Sequence, residues 1–241
     1  MLREEDPDAA WVRALTGASP IRVEAALREA SDRVDLFSSI ARAHQRHGRT
    51  SYVEIDAPLE LYAIARLVRP RAVVEVGVSS GVSSAYLLAA LHKNRRGTLH
   101  SVDLPQVDRR PVASRRSSRP SWSLPEGTSS GWAIPTRLRN RWDLRLGDKR
   151  ALLPVLGREL TGVGLFVYDV PHDDERAFEE FSALDPALAP GAVVIVDHGP
   201  GGGECPVLRR SARRRGAATK GRAGLGLYGF GRTPPSPKRR S

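Results

Sequence analysis

Residues Val73-Val74-Glu75-Val76-Gly77-Val78-Ser79-Ser80-Gly81-Val82-Ser83-Ser84 run from a short apolar segment into a Gly/Ser turn and then a helix-forming stretch that ends near Leu91. The valines up to Val76 show no polar alternation, which predicts a strand of a parallel sheet buried on both faces. Gly77 and Gly81 mark places where the chain needs positive φ or must come close to another group. The helix that opens behind them leaves unpaired N–H groups facing the turn, a seat for an electron-rich ligand.

The spacing narrows the ligand. A dinucleotide fingerprint reads G-x-G-x-x-G, whereas this turn reads E-x-G-x-x-x-G with Ser79 in place of the second glycine, so a pyrophosphate seat fits poorly. Two readings remain on the loop alone: a different nucleotide-type cofactor, or a tight strand-to-helix turn in some other α/β protein.

The 241 residues suffice for one substantial core. We expect a helical N-terminal extension over residues 1–56, one main domain over 57–232 with an insertion at 105–142, and a disordered basic tail over 233–241. No apolar run nears the roughly 18 residues of a membrane span, and Met1-Leu2-Arg3-Glu4-Glu5-Asp6 lacks the apolar centre of a signal peptide. A cytoplasmic protein with no membrane partner is expected. The single cysteine, Cys205, excludes an intramolecular disulfide and a cysteine-based zinc cluster. The net charge of +11 raises nucleic acid as a partner, but the basic residues crowd into 109–119, 209–222 and the tail, with no aromatic-interleaved RNA-binding signature beside them. Solvated basic surface is therefore favoured over nucleic acid.

Helical spacing over about residues 8–48 predicts a helical cap, and Ala57–Val68 predicts an amphipathic helix stopped by Pro70. Five strands follow, at Ala72–Val76, Thr98–Val102, Leu144–Leu146, Leu165–Tyr168 and Ala192–Val196. Each ends at or beside an acid, Glu75, Asp103, Asp148, Asp169 and Asp197. Ligands of open α/β sheets bind at that carboxyl edge, although any one acid could instead cap the next helix, Asp148 above all. The insertion carries Trp122, Trp132 and Trp142, three of the four tryptophans, which suggests a lid over the sheet edge or else a satellite apolar cluster. Pro206–Arg215 predicts a basic helix and Gly224–Phe230 a last, glycine-rich strand.

Taken in order, Glu75 to Ser83, Leu99-His100-Ser101-Val102-Asp103, Leu146-Gly147-Asp148, Phe166-Val167-Tyr168-Asp169-Val170-Pro171-His172 and Leu188 to His198 resemble a class I S-adenosylmethionine (SAM)-dependent methyltransferase, in particular the small-molecule O-methyltransferases. The resemblance spans about residues 57–200. It implies an α/β, Rossmann-like, doubly wound and mostly parallel sheet, SAM as cofactor and a small-molecule acceptor methylated at oxygen, with a homo-oligomer left open. It places Gly77, Ser79, Gly81 and Ser83 at the methionine end of SAM and Glu75 on the loop or the cofactor amino group. Asp103 would lie on the ribose hydroxyls and Asp148 beside adenine or at its helix cap. His172 would be the base, with Asp169 beside it. The family's metal acids correspond to Asp169 and Asp197, and His198 stands where those proteins carry Asn, a set less suited to Mg²⁺ than to a softer ion. The alternatives are an RNA-type nucleic-acid methyltransferase, which lacks an Asn-Pro-Pro-Tyr-like motif here, and a non-catalytic SAM-fold binding protein.

Overall fold

The computed structural model describes residues 6–47, 57–105, 124–170, 174–197, 205–222 and 225–231. Three helices come first: α1 (Pro7–Thr16), α2 (Pro20–Ser31) and α3 (Val34–His47). The Asp6 side chain caps α1 by accepting the Asp8 N–H at 2.9 Å, and Gly17 closes that helix at φ 66°, an arrangement natural to a Gly that follows a helix. α4 (Pro58–Val68) leads into β1 (Ala72–Val76), α5 (Val82–Asn94) and β2 (Thr98–Asp103). A 3-10 helix over Thr136–Arg141 precedes β3 (Trp142–Leu146). α6 (Lys149–Glu159), β4 (Val163–Tyr168), α7 (Asp174–Leu184), β5 (Leu188–Asp197), α8 (Pro206–Arg214), β6 (Lys220–Arg222) and β7 (Leu227–Phe230) complete the described chain.

The sheet runs β3-β2-β1-β4-β5-β7-β6. β1 to β5 are mutually parallel, while β7 pairs antiparallel with both β5 and β6. This is the expected doubly wound, mostly parallel sheet. Side chains alternate across it as the two-residue repeat of a strand requires. Val73, Leu99, Leu165, Val167, Val193 and Ile195 pack with α1, α2, α4 and α5. Val74, Val76, Phe166, Tyr168, Val194 and Val196 pack with α6, α7 and α8. The N-terminal helices thus share the core of one sheet face: Trp11, Val12, Leu15, Val23 and Leu36 belong to the same cluster as Leu61, Leu87 and Leu165.

Several boundaries move. β3 begins at Trp142, two residues before the expected start, so Trp142 belongs to the sheet and not to the insertion. β4 and β5 start earlier than their β-branched centres, at Val163 and Leu188. β6 has no counterpart among the expected strands. Lys220-Gly221-Arg222 carries none of the residues that favour strands, and it is an edge strand held by its pairing with β7.

Candidate active site

The order of strands reverses between β1 and β4, the topological switch point at whose carboxyl edge ligands bind in such sheets. Gly77 leaves β1 at φ 93°, and a Cβ on it would stand 1.9 Å from the Asp169 carbonyl oxygen. Only glycine lets the two strand ends approach this closely. The Asp169 N–H in turn donates to the Val76 carbonyl at 2.9 Å.

Ser79, in the slot of the missing glycine, holds the left-handed conformation at φ 51°. A non-glycine residue there stores strain of roughly 1–3 kcal/mol, which surrounding contacts must overcome. Three such contacts are visible. The Ser79 N–H donates to Asp103 Oδ2 at 3.1 Å, and the Gly131 N–H donates to the Ser79 carbonyl at 2.9 Å. The Ala133 N–H does the same to the Ser80 carbonyl at 2.9 Å. The Ser79 hydroxyl is screened from solvent and has no hydrogen-bond partner, a costly state for a buried polar atom unless a ligand completes it.

Asp103 ends β2 half-buried. One of its oxygens accepts from Ser79 and the other from the Leu104 N–H at 3.0 Å. A carboxylate has about four acceptor sites, and these two bonds place one oxygen on the Gly/Ser turn and the other on the backbone that follows β2. Gly147, whose N–H donates to the Asp103 carbonyl at 2.9 Å, brings the β3–α6 turn beside it.

Glu75 is completely buried on the α5 side of β1. Its Oε1 accepts from the Ser83 hydroxyl at 2.7 Å, and its Oε2 from Ser84 at 2.6 Å and Ser101 at 2.8 Å. The Trp142 indole donates to the Ser101 hydroxyl at 2.9 Å, so β3, β2, β1 and the first turn of α5 are tied through one carboxyl group. Burial pushes the Glu75 carboxyl above its usual range, against the three hydroxyls, which favour the charged form. Of the two roles considered, this geometry builds the loop-holding one and spends the Ser83 hydroxyl on it as well.

Asp148 is the N-cap of α6. It accepts from the Arg150 N–H at 2.9 Å and pairs with the Arg150 guanidinium at 2.6 Å, and that partner holds its carboxyl below the usual range. Its side chain is 46% exposed, so the capping role is the one its bonds express.

Asp169 and Asp197 follow neighbouring residues of adjacent strands. β4 and β5 are parallel and in register, with Tyr168 opposite Val196, so the next residue of each strand is an aspartate. Both are partly exposed at the carboxyl edge. Among the described residues no group of three or more His, Cys, Asp or Glu is arranged to hold a metal ion. His172 and His198 lie outside the described residues.

Residues 129–134, part of the insertion expected to form a lid or a satellite apolar cluster, form a strap. Arg139 fixes it by donating to the Gly131 carbonyl at 2.9 Å and the Ile134 carbonyl at 3.2 Å. A Cβ on Gly81 would stand 2.6 Å from Ile134 and 2.8 Å from Gly131, so the strap lies directly on the Gly/Ser turn. Trp132 projects from it to the end of α3, with its ring centroid 4.8 Å from that of His44 and 5.3 Å from that of His47. The sequence signal was the tryptophan in a polar insertion; its partners on α3 carried none. Trp122 lies outside the described residues.

Comparisons with known proteins accord with this geometry. A methyltransferase from Geobacter sulfurreducens has the same fold, with a TM-score of 0.52, 17% identity, and 82% of this chain and 88% of that one covered. The O-methyltransferase TomG from Streptomyces achromogenes, involved in tomaymycin synthesis and solved with SAM, gives a TM-score of 0.50 and 20% identity, covering 82% and 90% of the two chains. An O-methyltransferase from Bacillus cereus, solved with SAH, gives 0.51 and 14% over 87% and 100%. No curated protein matches the chain. A family model described as a methyltransferase domain matches residues 74–198, more than half of the 241-residue chain and the span from the middle of β1 to the end of β5, and the chain therefore belongs to the methyltransferase-domain family.

Proposed function

We propose that the protein transfers the methyl group of SAM to an oxygen of a small-molecule acceptor. The observation that carries this reading is the pairing of the strained Ser79, with its unsatisfied buried hydroxyl, and the Asp103 carboxylate that accepts its N–H. SAM bears a carboxylate and an ammonium at one end and two ribose hydroxyls at the other. The Gly77–Gly81 turn and the N-terminus of α5 suit the first, and the Asp103 carboxylate at the end of β2 suits the second, because its two oxygens can accept from a pair of hydroxyls. When bound, SAM supplies an electrophilic methyl group on a sulfonium.

The chain's own task is to present the acceptor oxygen in line, help remove its proton and exclude water. Asp169 and Asp197 follow the paired residues Tyr168 and Val196 of neighbouring strands, which supports a joint role for them. In one form of the proposal they orient His172 as the base. In the other they and His198 would hold a divalent ion, which would supply Lewis-acid activation of the acceptor hydroxyl. The Trp132 strap would form one wall beside the cofactor loop.

Calorimetric titration with SAM and SAH tests the reading. Saturable binding of both is expected. Absence of binding at millimolar ligand would overturn it in favour of a family member that uses the fold as a binding or assembly module.

A further inference from the structure

Lys149 is the first residue of α6, directly after Asp148, and Tyr168 is the last residue of β4, directly before Asp169. The Lys149 Nζ donates to the Tyr168 hydroxyl at 2.7 Å and pairs with Glu180 Oε2, on α7, at 2.7 Å. The Tyr168 hydroxyl donates to the same Glu180 oxygen, and the ammonium also stands 4.9 Å from the centroid of the Tyr168 ring. Glu180 is 2% exposed and Lys149 22%, and the surrounding side chains include Phe166 and Phe181.

Stability does not account for this arrangement. A cation at the first position of a helix opposes the helix dipole. A carboxylate taken out of water among aromatic rings carries a desolvation cost that its partner only repays, and apolar residues of similar volume usually do as well or better. What the network does achieve is geometric. It ties the β3–α6 turn, through Lys149, to the end of β4, through Tyr168, with Glu180 as a fixed anchor beneath both. Those are two walls of the candidate site: the turn that packs on Asp103 through Gly147, and the strand end that carries Asp169.

We propose that Lys149 and Glu180 are positioning residues, which touch neither cofactor nor acceptor but set the gap between the β3–α6 turn, which packs on Asp103, and the end of β4, which carries Asp169. The proposal rests on the SAM reading of the Ser79–Asp103 site. Removing all three polar groups together separates a merely structural role from a positioning one. The triple variant Lys149→Met/Tyr168→Phe/Glu180→Leu keeps the volume and leaves none of the three groups unpaired, so its Tm should stay near the parent's. Its SAH affinity should nonetheless fall roughly tenfold, the scale of coupling between residues of one network.

The experiment is calorimetric titration of SAH into the full-length parent and the variant, with Tm measured on both. Weakened binding at a preserved Tm supports the proposal, and SAH binding equal to the parent's overturns it. If the triple variant does not fold, Glu180→Gln is titrated in its place well below its own Tm, with the same two outcomes. A parent protein that fails to bind SAH overturns the cofactor reading and this inference with it, whereas a binding parent and an equally binding variant overturn this inference alone.

Discussion

The Ser79 N–H points at Asp103 Oδ2, 3.1 Å away, so the acid at the end of the second strand fixes the turn at the end of the first. Asp103 therefore holds the left-handed Ser79 in place, and under the proposed function it has a second task, to receive the ribose.

Asp103→Ala removes both. Each charge-assisted hydrogen bond lost contributes about 1.5–3 kcal/mol, so SAM and SAH binding should weaken by roughly 10- to 100-fold or more. Asp103→Asn retains an accepting oxygen for Ser79 and should fall between the two. Calorimetry on the three proteins checks the order, and equal affinities would remove Asp103 from the site.

Trp132 is joined to the Gly/Ser turn through its neighbour Gly131, with the His44 ring tilted against it and the His47 ring edge-on. Filling the site should shift its emission. The test compares the fluorescence change on SAH addition in the parent and in Trp132→Phe. A change that persists undiminished in the variant would assign the signal to another of the four tryptophans.

Glu60 is buried in the first turn of α4 against Asp8 of α1, with Arg222 of β6 close by. Burial first, and then the neighbouring Asp8 carboxyl, raise its pKa from 4.5 to about 7. The folded protein therefore holds a proton that the unfolded chain gives up. The stability this contributes is full below pH 4.5 and declines between 4.5 and about 7. Glu60→Gln should flatten that decline and raise Tm at pH 8 by several degrees, while near pH 5 the difference shrinks. Thermal melts of parent and variant across pH 5–8 decide it, and parallel curves would refute the assignment.

Metal and metal-free mechanisms part on chelation. If Asp169 and Asp197 hold a divalent ion, turnover should cease with EDTA and return with Mg²⁺ or Mn²⁺. If they only orient His172, EDTA should have no effect and His172→Ala should lower turnover by about 100-fold or more, the usual contribution of a positioned base. Full activity in both experiments would leave the protein the sole task of holding its two substrates in line.

The legible parts of this molecule were those written locally. The β1 turn could be read because glycine spacing reports backbone conformation directly, and the strand ends because buried parallel strands concentrate valine and isoleucine. Neither signal reaches across the chain. The partners of Glu75 lie 8, 9 and 26 residues away, and three serines announce nothing until the sheet and α5 are assembled. Lys149, Tyr168 and Glu180 each look ordinary in sequence. β6 was missed because an edge strand of Lys-Gly-Arg exists only through its pairing, and Trp142 was grouped with the insertion because the β-branched residues of its strand are absent.

The first helix is bound to the last hairpin. The Trp11 indole donates to the Lys220 carbonyl at 3.1 Å across 209 residues of sequence, Asp8 pairs with Arg222, and Gly231 packs so closely on Leu15 that a Cβ there would lie 1.9 Å from its carbonyl oxygen. On the ribosome this helix is made well before the hairpin that satisfies it: it can settle on α4 early, but its indole and its aspartate wait for β6 to emerge. Closing so long a loop is slow, so nascent chains halted before β6 should remain open to proteolysis near their N-terminus after the parallel sheet has formed.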